Sequence, residues 1–115
     1  MTDRTPVDIA WDAAEAIRAL NHATFAGTGY EWPSDVDRVI AELEILASRL
    51  PQAFRQAEAW LTRHQDGIGT DDGTDSGRAV ASLTVLLMAA SSQARELEDT
   101  IRQAHSLTAK LYARD

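Results

Sequence analysis

The side chains of this chain that could do chemistry are carboxylates and three histidines. Glu96 and Asp99 stand three apart, which sets both carboxylates on one helical face where they could share a divalent cation. Glu42 and Glu44 form a second acidic pair, but at a spacing of two they diverge around a helix. His22, His64 and His105 fall in three separate segments, and none has a second ligand at a His-x-x-x-His or Glu-x-x-His spacing. Each reads as a surface or boundary histidine. With no cysteine, thiolate catalysis, disulfides and Cys-ligated zinc are excluded together. No Gly-rich phosphate loop and no nucleophile elbow are present. The expectation is a protein that is not an enzyme, with no catalytic residues, no metal and no cofactor.

The stretch from Gln65 to Ser76, QDGIGTDDGTDS, places aspartates between two helical patterns and so invites a calcium loop. Its spacing fails that test. With Asp71 first and Asp75 fifth, the third position is Gly73, the sixth is Ser76 where glycine is required, and the twelfth is Ser82 where a bidentate glutamate belongs. The segment reads as a solvated, mobile connector.

The elements that would position any site are helices. The apolar set is rich in Ala and Leu and poor in aromatics, and the 115 residues include only 3 Pro and 6 Gly. A formal net charge of -7, with basic residues scattered singly among acids, excludes nucleic acid as the main partner. No apolar run reaches signal or membrane-spanning length, so a cytoplasmic protein without membrane contact is expected. The fold class expected is all-α, a single domain of three helices at about 6–24, 34–64 and 77–113, joined by the mobile acidic loop 65–76.

Thr5 caps the first helix, Pro6 fits its first position, and Asp8 completes a capping box; Ile9, Ala13, Ala16, Ile17 and Leu20 mark its buried stripe. Trp11 lies at the rim of that stripe. The loop FAGTGYEWP follows, and Ser34 is expected to cap the second helix with Asp37 at the capping-box position. Its aromatics read as a plug closing the end of a bundle or, alternatively, as a patch at Tyr30 and Trp32 that a partner recognises.

Val36, Val39, Leu43, Leu46, Leu50, Ala53, Ala57 and Trp60 draw an apolar stripe down the second helix, with Ile40, Ala47, Phe54 and Leu61 beside it. The spacing keeps its phase across Pro51, which predicts a kinked continuous helix with the proline on its outer face. The third helix carries a matching seam through Val80, Leu83, Leu87, Ala90, Ala94, Leu97, Ile101, Ala104, Thr108 and Leu111. Two such seams across a connector predict a long antiparallel hairpin, with the shorter first helix packed on it as a bundle.

Helix one is long enough to cover helix two only to about Pro51. The start of helix three, AVASLTVLLMAA, is apolar almost all round and is left without cover. Val85, Leu86, Met88 and Ala89 are therefore the expected contact with a second chain, most economically an isologous homodimer. The competing reading is that helix one bends to cover them within one chain.

Three resemblances bear on function. All-α nucleotide pyrophosphohydrolases hold magnesium with paired acidic motifs, and the Glu96, Asp99 pair is similar to one of these, which implies a metal-dependent hydrolase as an alternative; the matched second cluster facing the same pocket is missing. The acidic hairpin also resembles the Trp-x-Gly proteins exported as dimers by type VII secretion systems. Here Trp60 is followed by Leu61 and Thr62, and Tyr112 stands three residues before Asp115 where the family's terminal signal has four. The run from Ala16 through Leu61, with YEWPSD at its centre, resembles small uncharacterised proteins of actinomycete genomes and implies no activity. The function expected is a non-enzymatic helical interaction or assembly module that associates with itself and with another protein.

Overall fold

The computed structural model describes residues 3–114. Among them all regular structure is helical: α1 (Pro6–Ala23), α2 (Pro33–Arg63) and α3 (Ser76–Thr108), with short 3-10 turns at Phe25–Gly27 and Gln65–Gly67. The two long helices pack against each other as an antiparallel hairpin, and the shorter α1 adjoins α2. The radius of gyration is 19.0 Å, against about 13 Å for a compact chain of this size.

The helix starts follow local hydrogen-bond chemistry. Thr5 Oγ1 accepts from the Asp8 N–H at 3.1 Å, while the Thr5 N–H donates to Asp8 Oδ2 at 3.2 Å, closing the expected capping box. At α2 the expected cap is displaced. Pro33 takes the first helical position, Trp32 is the N-cap, and Asp35 Oδ2 accepts from the Glu31 and Trp32 N–H groups, both at 3.0 Å. Proline's fixed φ and missing N–H suit that first position, which moves the cap two residues ahead of Ser34. Asp75 caps α3 by accepting from the Arg78 N–H at 3.1 Å. α3 stops at Thr108, short of the expected Ala113, because its last bonds tighten: Lys110 N–H donates to Leu107 O and Leu111 N–H to Thr108 O.

Burial traces the contact between the long helices. On α2 the half-buried or buried positions facing α3 are Asp37, Ile40, Glu44, Ala47, Pro51, Phe54, Glu58 and Leu61. On α3 they are Val80, Thr84, Leu87, Ser91, Ala94, Glu98, Ile101, His105 and Thr108. Both rows step by threes and fours, as an antiparallel coiled pair requires. This corrects the expected seam along α2, which runs one residue earlier, and half of it along α3: Val80, Leu87, Ala94, Ile101 and Thr108 lie on the inner row as expected, while Leu83, Ala90, Leu97 and Ala104 do not. Two adjacent rows satisfy the same period, and composition favours the more apolar one. The helices instead meet along the row whose small residues, Ala47, Pro51, Ser91 and Ala94, let the backbones approach.

Pro51 is accordingly buried, not on the outer face, and α2 runs through it without interruption. In the register set by the Thr108–Asp37 hydrogen bond Pro51 falls level with Ala94, both buried, while the helix loses one backbone hydrogen bond at the proline. Ser91 is buried with its hydroxyl unpartnered.

α1 adjoins α2 through its last two turns only. No residue of α1 is buried, and Ile9, Ala13 and Ala16 are exposed, contrary to the expected stripe; Ile17 and Leu20 are half-buried where α1 meets α2. The connection explains this. Gly29 has φ +92, and a Cβ on it would collide with the Ala23 carbonyl, so the chain turns tightly against the end of α1. The α1 residues that line the cleft with α2 begin only at Ile17, and the apolar residues before it stay exposed.

Candidate functional site

Four places could carry function: the acidic and histidine side chains, the aromatic loop, the cleft between α1 and α2, and the outer surface of the hairpin.

The open end of the hairpin holds a connected network of titratable groups. Thr108 Oγ1 donates to Asp37 Oδ1 at 2.7 Å, and His105 lies between two carboxylates, Nε2 at 3.4 Å from Asp37 Oδ1 and Nδ1 at 3.6 Å from Glu44 Oε1. Arg102 reaches Glu44 at 3.5 Å, Glu98 at 3.0 Å and Asp99 at 2.8 Å. The Glu98 carboxylate above all raises the Arg102 guanidinium above its ordinary value, against the opposing effect of desolvation. Each carboxylate here already has a cation or a hydroxyl donor. Glu42 points elsewhere, into the cleft beside α1, and Glu96 takes no part in the network. Among the described residues no group of three or more His, Asp or Glu is placed to hold a metal.

Asp72 sits in the connector between α2 and α3. Thr74 donates its backbone N–H to Asp72 Oδ1 at 3.0 Å, and bonds from Thr74 and Thr70 hold the Asp72 carboxyl below its ordinary value.

The aromatic loop forms no plug. Phe25 and Trp32 are exposed, and Tyr30 is 37% exposed along the wall of the α1–α2 cleft. A plug needs a third helix closing over the hairpin's end, and α1 lies beside α2 instead. The cleft has a volume of about 600 Å³ and is walled by Ile17 and Leu20 of α1 and by Val39, Leu43 and Leu46 of α2.

The outer surface of the hairpin is the largest feature. In an antiparallel pair, reversing one helix reverses its sense of turn across the contact, so residues just before the inner row on both helices lie on one side. On α2 these are Val36, Val39, Leu43, Leu46, Leu50, Ala53, Ala57 and Trp60. On α3 they are Leu83, Leu86, Ala90, Gln93, Leu97, Thr100, Ala104 and Leu107. All but Gln93 and Thr100 are apolar, and the side is open to solvent beyond the part α1 borders. Leu86 is 66% exposed and Trp60 53%. The Trp60 ring is held in place by stacking on His64, centroids 4.2 Å apart, and His64 Nδ1 lies 2.8 Å from the Trp60 carbonyl.

Of the four contact residues expected at the start of α3, all are exposed in the chain. Helical spacing divides them: Leu86 joins Trp60 and Leu83 on the apolar side, Val85 and Met88 stand on the opposite flank at 67% and 61% exposure, and Ala89 faces directly away from α2. The apolar row was legible as a stripe in the sequence; that it faces outward was not, because its period equals that of the row it displaces.

No helix among the described residues is long and apolar enough to cross a membrane. Asp115, the last residue of the terminal Tyr-containing motif, lies outside the described residues. Compared with family models, with curated proteins and with solved structures, the chain finds no match in any of the three.

Proposed function

We propose that the chain is a non-enzymatic helical protein–protein interaction module that associates with itself. The observation that carries the reading is the surface it exposes. A compact monomer of 12.6 kDa exposes about 6,200 Å², whereas this chain exposes 9186 Å². Much of the apolar content that drives folding elsewhere lies on the outside here: Trp60, Leu83, Leu86, Val85 and Met88 are all exposed around one end of the hairpin. Patches of that extent on a small protein mark a surface that another protein covers.

Size-exclusion chromatography with light scattering tests this on the wild type and on Leu86→Glu. The expected result is a wild-type oligomer whose mass falls on substitution while helix content is retained. A wild-type monomer at micromolar concentration would remove self-association from the reading.

A further inference from the structure

We infer that the occupant of the apolar side of the hairpin is a second copy of this chain, packed face to face and antiparallel about a two-fold axis that passes over Ala90. The inference rests on the self-association reading above and specifies its geometry.

Register supplies the first argument. The Thr108 to Asp37 hydrogen bond sets those two residues level. Moving 18 residues up α2 from Asp37 and 18 back along α3 from Thr108 sets position 55 level with Ala90. The uncovered part of the α2 row reads Leu50, Ala53, Ala57, Trp60, large residues outside and small ones inside, and its midpoint is position 55. Over the same length the α3 row reads Leu83, Leu86, Ala90, Gln93, Leu97, with leucines at both ends and its midpoint at Ala90. Two independent rows thus have their centres at one level of the hairpin.

A two-fold axis lying in the contact plane across both helices returns each row onto itself reversed, as an isologous contact requires. Leu50 then meets Trp60 of the second copy, Ala53 meets Ala57, Leu83 meets Leu97, Leu86 lies beside Gln93, and Ala90 meets Ala90. The alanines at the centre allow the helices to approach, and the leucines and Trp60 close both ends. On α2 the cleft that α1 borders ends at Leu46, and the symmetric region begins at Leu50.

Area supplies the second argument. The chain exposes about 3,000 Å² more than a compact monomer of its mass. Obligate homodimer interfaces bury in total roughly 2,000–5,000 Å² from both partners, about 1,000–2,500 Å² from each, which lies within the excess that the whole chain exposes.

The absence of cysteine makes the test direct. Ala90→Cys and, separately, Met88→Cys are compared by light scattering under reducing conditions and by non-reducing gel after oxidised glutathione. The expected result is a dimer for both variants, with Ala90→Cys becoming covalently linked in most of the sample and Met88→Cys in little of it. A dimer that links through Met88→Cys and not Ala90→Cys overturns this face and leaves self-association standing. A dimer in which neither variant links overturns the register. A monomer for wild type and both variants overturns the inference together with the self-association on which it rests.

Discussion

Thr108 and Asp37, 71 residues apart in the chain, are joined by a 2.7 Å hydrogen bond from the threonine hydroxyl to the carboxylate. This pair fixes the stagger of α2 against α3 at the open end, where the inner row turns polar. Thr108→Val keeps the shape and removes the donor. A loss of about 1–2 kcal/mol is expected for a hydrogen bond to a charged, half-buried acceptor. Denaturant unfolding at fixed protein concentration measures it, and faster amide exchange confined to the last turn of α3 would locate it.

Ser91 presents the opposite case. Its hydroxyl is buried without a partner on the row facing α2, level with Phe54. Ser91→Ala removes the desolvated group and improves helix propensity, so unfolding free energy is expected to rise by about 1 kcal/mol. A lower denaturant midpoint for the alanine variant would mean that the hydroxyl has a partner in solution.

The two unusual backbone positions of the first loop respond in opposite directions. Gly29→Ala forces a Cβ onto the Ala23 carbonyl at a φ that L residues rarely adopt, and should cost about 1–3 kcal/mol. Because α1 adjoins only α2, exchange protection is expected to fall in α1 while the hairpin keeps its own. Ala26 already holds φ 56 without being glycine. Ala26→Gly relieves that strain and should leave the midpoint unchanged or raise it slightly.

Asp72 gives the connector a pH dependence. Its folded pKa is depressed below the ordinary 3.8, chiefly by Thr74, so its contribution is fully present above that value and is lost as pH falls through the folded one. Amide exchange at Thr74, corrected for the intrinsic pH effect, should therefore accelerate as pH drops below about 3.8 in the wild type. In Asp72→Asn that acceleration should be absent.

The three helices were legible because their apolar spacing, the Thr5 cap and the glycine-rich breaks agree with one another. The hairpin followed from two long periodic segments across one connector. What the pattern could not resolve was rotation: rows such as Leu43, Leu46, Leu50 and Glu44, Ala47, Pro51 differ by about 100° and share a period. Hydrophobicity ranked the first above the second, while close approach of two backbones selected the second. The polar network of Asp37, Glu44, Arg102 and His105 escaped notice for the same reason, since Asp37, Glu44 and His105 fall on the inner row that hydrophobicity passed over, and Arg102 reaches Glu44 from beside it. Trp60 was visible as an apolar residue, but its ordering by His64 depends on a stacking geometry that spacing alone does not disclose.

Ala47 and Ala94 lie on the inner row, and their methyl groups set how far apart the axes of α2 and α3 run at mid-length. The outer rows are carried on the same two backbones, so the inner alanines act as a shim beneath the apolar side. A larger residue at either position would pry the axes apart and open a furrow down the middle of that side without altering one of its own side chains. Whatever the outer face fits, its width is gauged from within.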